Sequence, residues 1–111
     1  MLPEEGTPAD KLKNVLDYIE IHYAQTISVE ELAKICCFSE YHFMRFFKKH
    51  MTCVEYVNNV RLEKAVELFE QGNTSILEVS LSVGFHNLSY FHRAFKNKYG
   101  MTPRSFIKEL K

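Results

Sequence analysis

From Thr52 to Gln71 the chain runs without a glycine or a proline, and Val54, Val57, Val60, Leu62, Ala65, Val66, Leu68 and Phe69 recur at intervals of three and four. That is the period of an amphipathic helix. Thr52 followed by Glu55 has the form of a capping box, and Gly72-Asn73 supplies residues that tolerate the left-handed conformation ending a helix. At about 1.5 Å per residue, a helix over 52–71 is a rod of roughly 30 Å. It is expected to link two like parts.

The same signals divide the remainder. After a flexible lead over 1–7, Thr7-Pro8 opens a helix with the apolar stripe Leu12, Val15, Leu16, Ile19 and Tyr23. Ser28 with Glu31 caps a short helix to about Cys36, and Ser39 caps another to about His50. Past the long helix, Ser75 with Glu78 caps a helix through Ile76, Val79 and Val83, and Asn87 caps one reaching about Tyr99. Gly100 ends that helix, and Thr102-Pro103 starts the last. The chain is therefore expected to be all-α, with seven helices: a first helix-turn-helix subdomain over 8–51, a linker helix over 52–71 and a second subdomain over 72–111.

The two halves repeat. SVEELAKICCF at 28–38 aligns with SILEVSLSVGF at 75–85, FMRFFKK at 43–49 with FHRAFKN at 91–97, and TCVEYV at 52–57 with TPRSFI at 102–107. Glu31/Glu78, Phe38/Phe85, Phe43/Phe91, Arg45/Arg93, Phe47/Phe95 and Lys48/Lys96 coincide. A short helix, a tight turn and a second helix form the plan in which the second helix enters a DNA major groove. Helical arithmetic puts Phe43, Phe46 and Phe47 on one side of the first such helix and Tyr41, Met44, Arg45 and Lys48 on the other. In the second, Phe91, Ala94, Phe95 and Leu88 are expected inward, and Ser89, His92, Arg93 and Lys96 outward. Each copy thus presents an Arg and a Lys one turn apart. An Arg fork can take guanine O6 and N7 together, and Lys meets a phosphate as a point charge. One such helix could merely be solvated; the same face kept twice in one chain favours DNA reading.

The formal net charge is zero, but it is unevenly spread. Residues 1–35 hold three basic and seven acidic side chains, whereas 87–111 hold six basic and one acidic. A neutral total can conceal a basic face that steers a polyanion. Hydrophobic residues make up 46% of the chain, enough for a packed core. There is no apolar stretch of membrane-spanning length and no secretory leader, so a soluble cytoplasmic protein is expected. Cys36, Cys37 and Cys53 lack the spacing of a metal or redox motif and are expected to be small buried thiols. No metal or cofactor is expected.

Over RLEKAVELF at 61–69, ILEVSLSVGF at 76–85, SYFHRAFK at 89–96 and YGMTPRSFI at 99–107 the chain resembles the DNA-binding domain of the AraC/XylS family of bacterial transcription regulators. The resemblance implies two homeodomain-like helix-turn-helix bundles reading successive major-groove segments, which lie about 34 Å apart. It implies base-reading roles for Tyr41, Met44 and Arg45 in the first copy and for Ser89, Tyr90, His92 and Arg93 in the second. Lys48, Lys49, Lys96 and Lys98 are implied phosphate contacts, with the helix starts at Ser39 and Asn87. Family members usually carry a separate effector-binding or dimerisation domain. Glu63, Lys64 and Glu67 on the linker helix are expected to form a solvated face, with contact to RNA polymerase as the alternative.

Three residues depart from the family pattern. Cys37 stands where the first turn usually has glycine, so strain or a different turn is expected there. Ser80 replaces a small apolar residue and can bond back to a carbonyl one turn earlier. Leu88 replaces a polar residue, so fewer hydrogen bonds to bases are expected there. Met44 offers only apolar contact, for instance to a thymine methyl, so a bias toward A·T steps is expected under the first helix. The main alternative is a helical interaction module that has kept the fold but lost DNA reading. An enzyme is disfavoured, since no nucleophile–base pair, paired carboxylate or phosphate-cradling loop is spaced for catalysis. A thiol sensor would need an exposed, acidic cysteine.

Overall fold

A computed structural model describes residues 7–48 and 52–110. Among them are seven helices and no strand: α1 (Pro8–His22), α2 (Val29–Cys36), α3 (Glu40–Phe47), α4 (Cys53–Glu70), α5 (Ile76–Ser82), α6 (Leu88–Tyr99) and α7 (Pro103–Glu109). No helix among the described residues is long and apolar enough to cross a membrane. The chain divides into two compact units, Met1–Val57 and Asn58–Lys111, with α4 contributing to both.

The first unit packs α1, α2, α3 and the first turns of α4. Thr7 and Asp10 form a reciprocal capping box at the start of α1, and Ser28 and Glu31 form another at α2. Val15, Ile19, Leu32 and Phe43 are completely buried. Polar bonds tie α1 to α2, among them two strong ones. Lys11 Nζ donates to the Cys36 carbonyl at 2.8 Å, satisfying a helix end, and Tyr18 Oη donates to Glu31 Oε2 at 2.7 Å. On α4, Tyr56 meets Phe47 edge-on, with centroids 5.9 Å apart.

The second unit packs α5, α6 and α7 around the rest of α4. Its centre is aromatic: Phe95 lies 6.0 Å from Phe69, 5.7 Å from Phe106 and 4.8 Å from Tyr99, all in tilted or edge-on geometry. Phe106 and Tyr56 thus fill equivalent places, each within its own unit. In α4 itself, Cys53, Val57 and Val60 form one buried stripe, and Leu62, Ala65 and Phe69 restart the pattern out of phase. No single apolar face runs its length. Val54, counted in the apolar period, is accordingly 62% exposed.

The two helix-turn-helix corners share one backbone solution. Cys37 N–H donates to Lys34 O and Phe38 N–H to Ala33 O; Gly84 N–H donates to Leu81 O and Phe85 N–H to Ser80 O. Both are Schellman closures, which require a left-handed residue. Gly84 has φ 107°, and Cys37 has φ 60°, the one positive φ outside glycine among the described residues. The first helix end thus closes as the second does, with the strain carried by Cys37, although the second turn is one residue longer, Gly84 to the Asn87 cap against Cys37 to the Ser39 cap. Cys37 is also exposed, which corrects the expectation that all three thiols are buried; Cys36 and Cys53 are. Ser80, fully buried, donates to the Leu77 carbonyl at 2.8 Å, the expected back-bond. Gly72 closes α4 by a third Schellman pair, Gly72 N–H to Phe69 O and Asn73 N–H to Leu68 O.

Candidate nucleic-acid interface

The second helix of each corner starts on a side-chain cap. Ser39 Oγ accepts from His42 N–H at 3.1 Å, and Asn87 Oδ1 accepts from Tyr90 N–H at 2.9 Å. Each cap leaves neighbouring amides at a helix start, where the macrodipole favours an anion. The two starts differ in charge. Glu40 sits in the first turn of α3, whereas α6 has no acid there.

On α3, Phe43 and Phe47 are buried and Phe46 is half-buried, while Tyr41, Met44, Arg45 and Lys48 are exposed. The Arg45 guanidinium lies over the Tyr41 ring, 5.7 Å from its centroid. Beside it, His42 stacks on Phe38 at 4.1 Å. Lys49, assigned to phosphate, and His50, the expected helix end, lie outside the described residues.

On α6, Phe91 and Phe95 are buried, and Ser89, Arg93 and Lys96 are exposed. Two expectations fail here. Leu88 is 39% exposed rather than inward, and His92 is half-buried rather than free. Both residues line an open groove of about 580 Å³ together with Leu77 of α5 and Arg104, Ile107 and Lys108 of α7. Lys98, assigned to phosphate, lies 3.8 Å from Glu63 on α4 and over the Tyr99 ring. A phosphate would have to compete with that carboxylate. Burial pushes the Tyr99 hydroxyl up to about 12, keeping it neutral beside Glu63.

Tyr90 is the residue the structure recasts most. Its hydroxyl accepts from Asn58 Nδ2 at 2.6 Å, and its ring packs edge-on to Phe85 at 5.9 Å. The Arg93 guanidinium lies over that ring, 6.0 Å from the centroid. Asn58 and Arg61, absent from the residues expected at the site, therefore belong to its support: Arg61 lies over the Phe85 ring at 5.9 Å, and burial lowers its pKa. In sequence both read as polar positions of a linker helix, and nothing in their spacing pointed to α6. Lys11 of α1 covers Phe38 at 5.1 Å in the first unit, the counterpart of Arg61 over Phe85. Among the described residues no group of His, Cys, Asp or Glu is placed to hold a metal.

A helix-turn-helix domain family matches residues 32–109. The bifunctional transcriptional activator/DNA repair enzyme AdaA of Bacillus subtilis is 38% identical over 94 residues, covering 83% of this chain and 44% of AdaA. The chain spans between about a third and somewhat under half of the length of the curated relatives it matches. The structure of a probable AraC family transcriptional regulator from Rhodopseudomonas palustris superposes with a TM-score of 0.84 at 24% identity, covering 92% of this chain and 98% of that one. The DNA-binding domain of AdpA, a global transcriptional factor crystallised with a target DNA, superposes with a TM-score of 0.80 at 23% identity, covering 89% and 91%. At these identities the two structures speak to the fold, which is the same.

Proposed function

The chain belongs to the AraC/XylS family of helix-turn-helix domains, and from that premise we propose that it is a sequence-specific, double-stranded DNA-binding transcription regulator. In this reading α3 and α6 enter two successive major-groove segments of a bipartite promoter site. The observation that carries it is the duplicated face: Arg45 with Lys48 on α3 and Arg93 with Lys96 on α6, all exposed on capped helices in equivalent positions. Arg45 and Arg93 read bases, aided by Tyr41, Met44, Ser89 and His92 at the groove. Lys48 and Lys96, with the amides beyond Ser39 and Asn87, hold phosphates. The DNA-binding domain of AdpA, which has this fold, was crystallised in complex with a target DNA. Contacts with RNA polymerase and with an effector-binding or dimerisation domain belong to the same proposal. The domain acts without catalysis.

The test is equilibrium binding to matched and scrambled duplexes across a salt series. Lys96→Ala should weaken binding to both alike and lower the slope of log K against log salt by about one. Arg93→Ala should lower affinity for the matched duplex and leave the scrambled one nearly unchanged. Equal wild-type affinity for every duplex would refute specific reading and leave only counterion release.

A further inference from the structure

Arg93 stands on a built support, and Arg45 does not. We infer that Asn58 of the linker helix and Tyr90 of α6 act together as positioning residues that pre-orient Arg93 for base reading, an inference that rests on the DNA-reading role proposed above. The Tyr90 ring is held from two directions. Asn58 Nδ2 fixes its hydroxyl at 2.6 Å, and the buried Phe85 ring meets it edge-on at 5.9 Å. The Arg61 guanidinium of α4 lies over the Phe85 ring at 5.9 Å, and Phe91 packs edge-on to it at 5.1 Å, so the ring beneath Tyr90 is itself held. The Arg93 guanidinium rests over the Tyr90 face at 6.0 Å, within reach of the attraction between a cation and an aromatic quadrupole. A guanidinium held this way loses less side-chain freedom on forming a bidentate contact with a base.

The first unit supplies an internal control. Arg45 lies over Tyr41 at 5.7 Å, but Tyr41 is 72% exposed, and among the described residues no hydrogen bond anchors its hydroxyl. The residue equivalent to Tyr90 in the repeat is His42, which stacks on Phe38 and carries no arginine. The linker helix therefore does more than space two units: it reaches the reading face of the second through a side chain. Tyr90 serves as a platform under Arg93, and its contribution to base choice passes through that arginine.

Two measurements test this, one without DNA. In the free protein, NMR relaxation of the arginine Nε–Hε groups should show Arg93 more ordered than Arg45. Asn58→Ala and Tyr90→Phe, which each break the 2.6 Å bond from one side, should lower the Arg93 order parameter and leave that of Arg45 unchanged. On DNA, the discrimination at the base pair that Arg93→Ala relaxes should fall about fivefold in Asn58→Ala, with the salt slope unchanged. In an Arg93→Ala background, Asn58→Ala should have no further effect. An unchanged Arg93 order parameter in both variants would overturn the positioning role, as would an equal loss with and without Arg93. If Arg93→Ala itself alters no base preference while Asn58→Ala still disorders Arg93, the DNA-reading proposal fails and the support of Arg93 stands as a purely structural contact.

Discussion

Cys37 and Gly84 occupy the same position in two turns of the same hydrogen-bonding pattern, yet only one of them has a side chain to accommodate. A left-handed residue with a Cβ costs about 1–2 kcal/mol, part of which glycine returns through the greater freedom of its unfolded chain. Cys37→Gly is therefore expected to stabilise the first unit by about 0.5–1 kcal/mol, and Gly84→Ala to destabilise the second by at least about 1 kcal/mol. Urea denaturation of both variants reads the two signs. The thiols separate by the same local physics. Burial pushes Cys53 up to about 11 and raises Cys36, while Cys37 is exposed. Iodoacetamide at mild alkaline pH should label Cys37 first, with Cys36 and Cys53 modified only on unfolding. Peptide mass spectrometry gives the order, and early labelling of Cys53 would contradict its buried placement.

At the level of helices the caps were legible and the faces only partly so. Thr7, Ser28, Ser39, Ser75, Asn87 and Thr102 all cap where their residue type and spacing indicate, because a cap is a local bond between a side chain and an amide three residues on. Leu88, His92 and Val54 were misplaced because their burial depends on which neighbour covers them. A period assigns a face but not its occupant. The roles of Asn58 and Arg61 were invisible for the same reason: a polar side chain on a helix looks solvated until a partner from another helix meets it. The bond between α1 and α2 makes a pH prediction. The Tyr18 and Ser28 hydrogen bonds hold the Glu31 carboxyl below its ordinary 4.5, and the Glu31 bond raises the Tyr18 hydroxyl above 10.0. A depressed acid stabilises the fold above its unfolded value and loses that contribution as pH falls through the folded one. A raised phenol stabilises below its unfolded value and loses that contribution as pH rises through the folded one. The stability gap between wild type and Glu31→Gln should therefore close below about pH 4.5, and that between wild type and Tyr18→Phe above about pH 10. Urea midpoints across pH check both limbs.

For the whole chain, the duplication is the strongest statement the sequence makes, and the structure repeats its helix-end closures and its buried phenylalanines, while each exposed arginine lies over a tyrosine ring from a different position of the repeat. Each unit has its own core, so damage should be felt locally. Phe95→Ala, at the centre of the second aromatic cluster, is expected to cost about 3–5 kcal/mol. Hydrogen exchange should show the loss concentrated in α5, α6 and α7, with α1 to α3 retaining protection; uniform loss across both would contradict two separate cores. The even net charge also has its explanation at this scale, since an acidic first third offsets a basic last quarter.

The central claim is that one chain reads two DNA boxes through two arginine-bearing helices. Its most direct test is selection of bound duplexes from a random pool at moderate salt, run with wild type, Arg45→Ala and Arg93→Ala. Two short boxes about one helical turn apart, with each substitution relaxing a different box, is the predicted result. A pool that shows no enrichment, with binding that vanishes as salt rises, would contradict it.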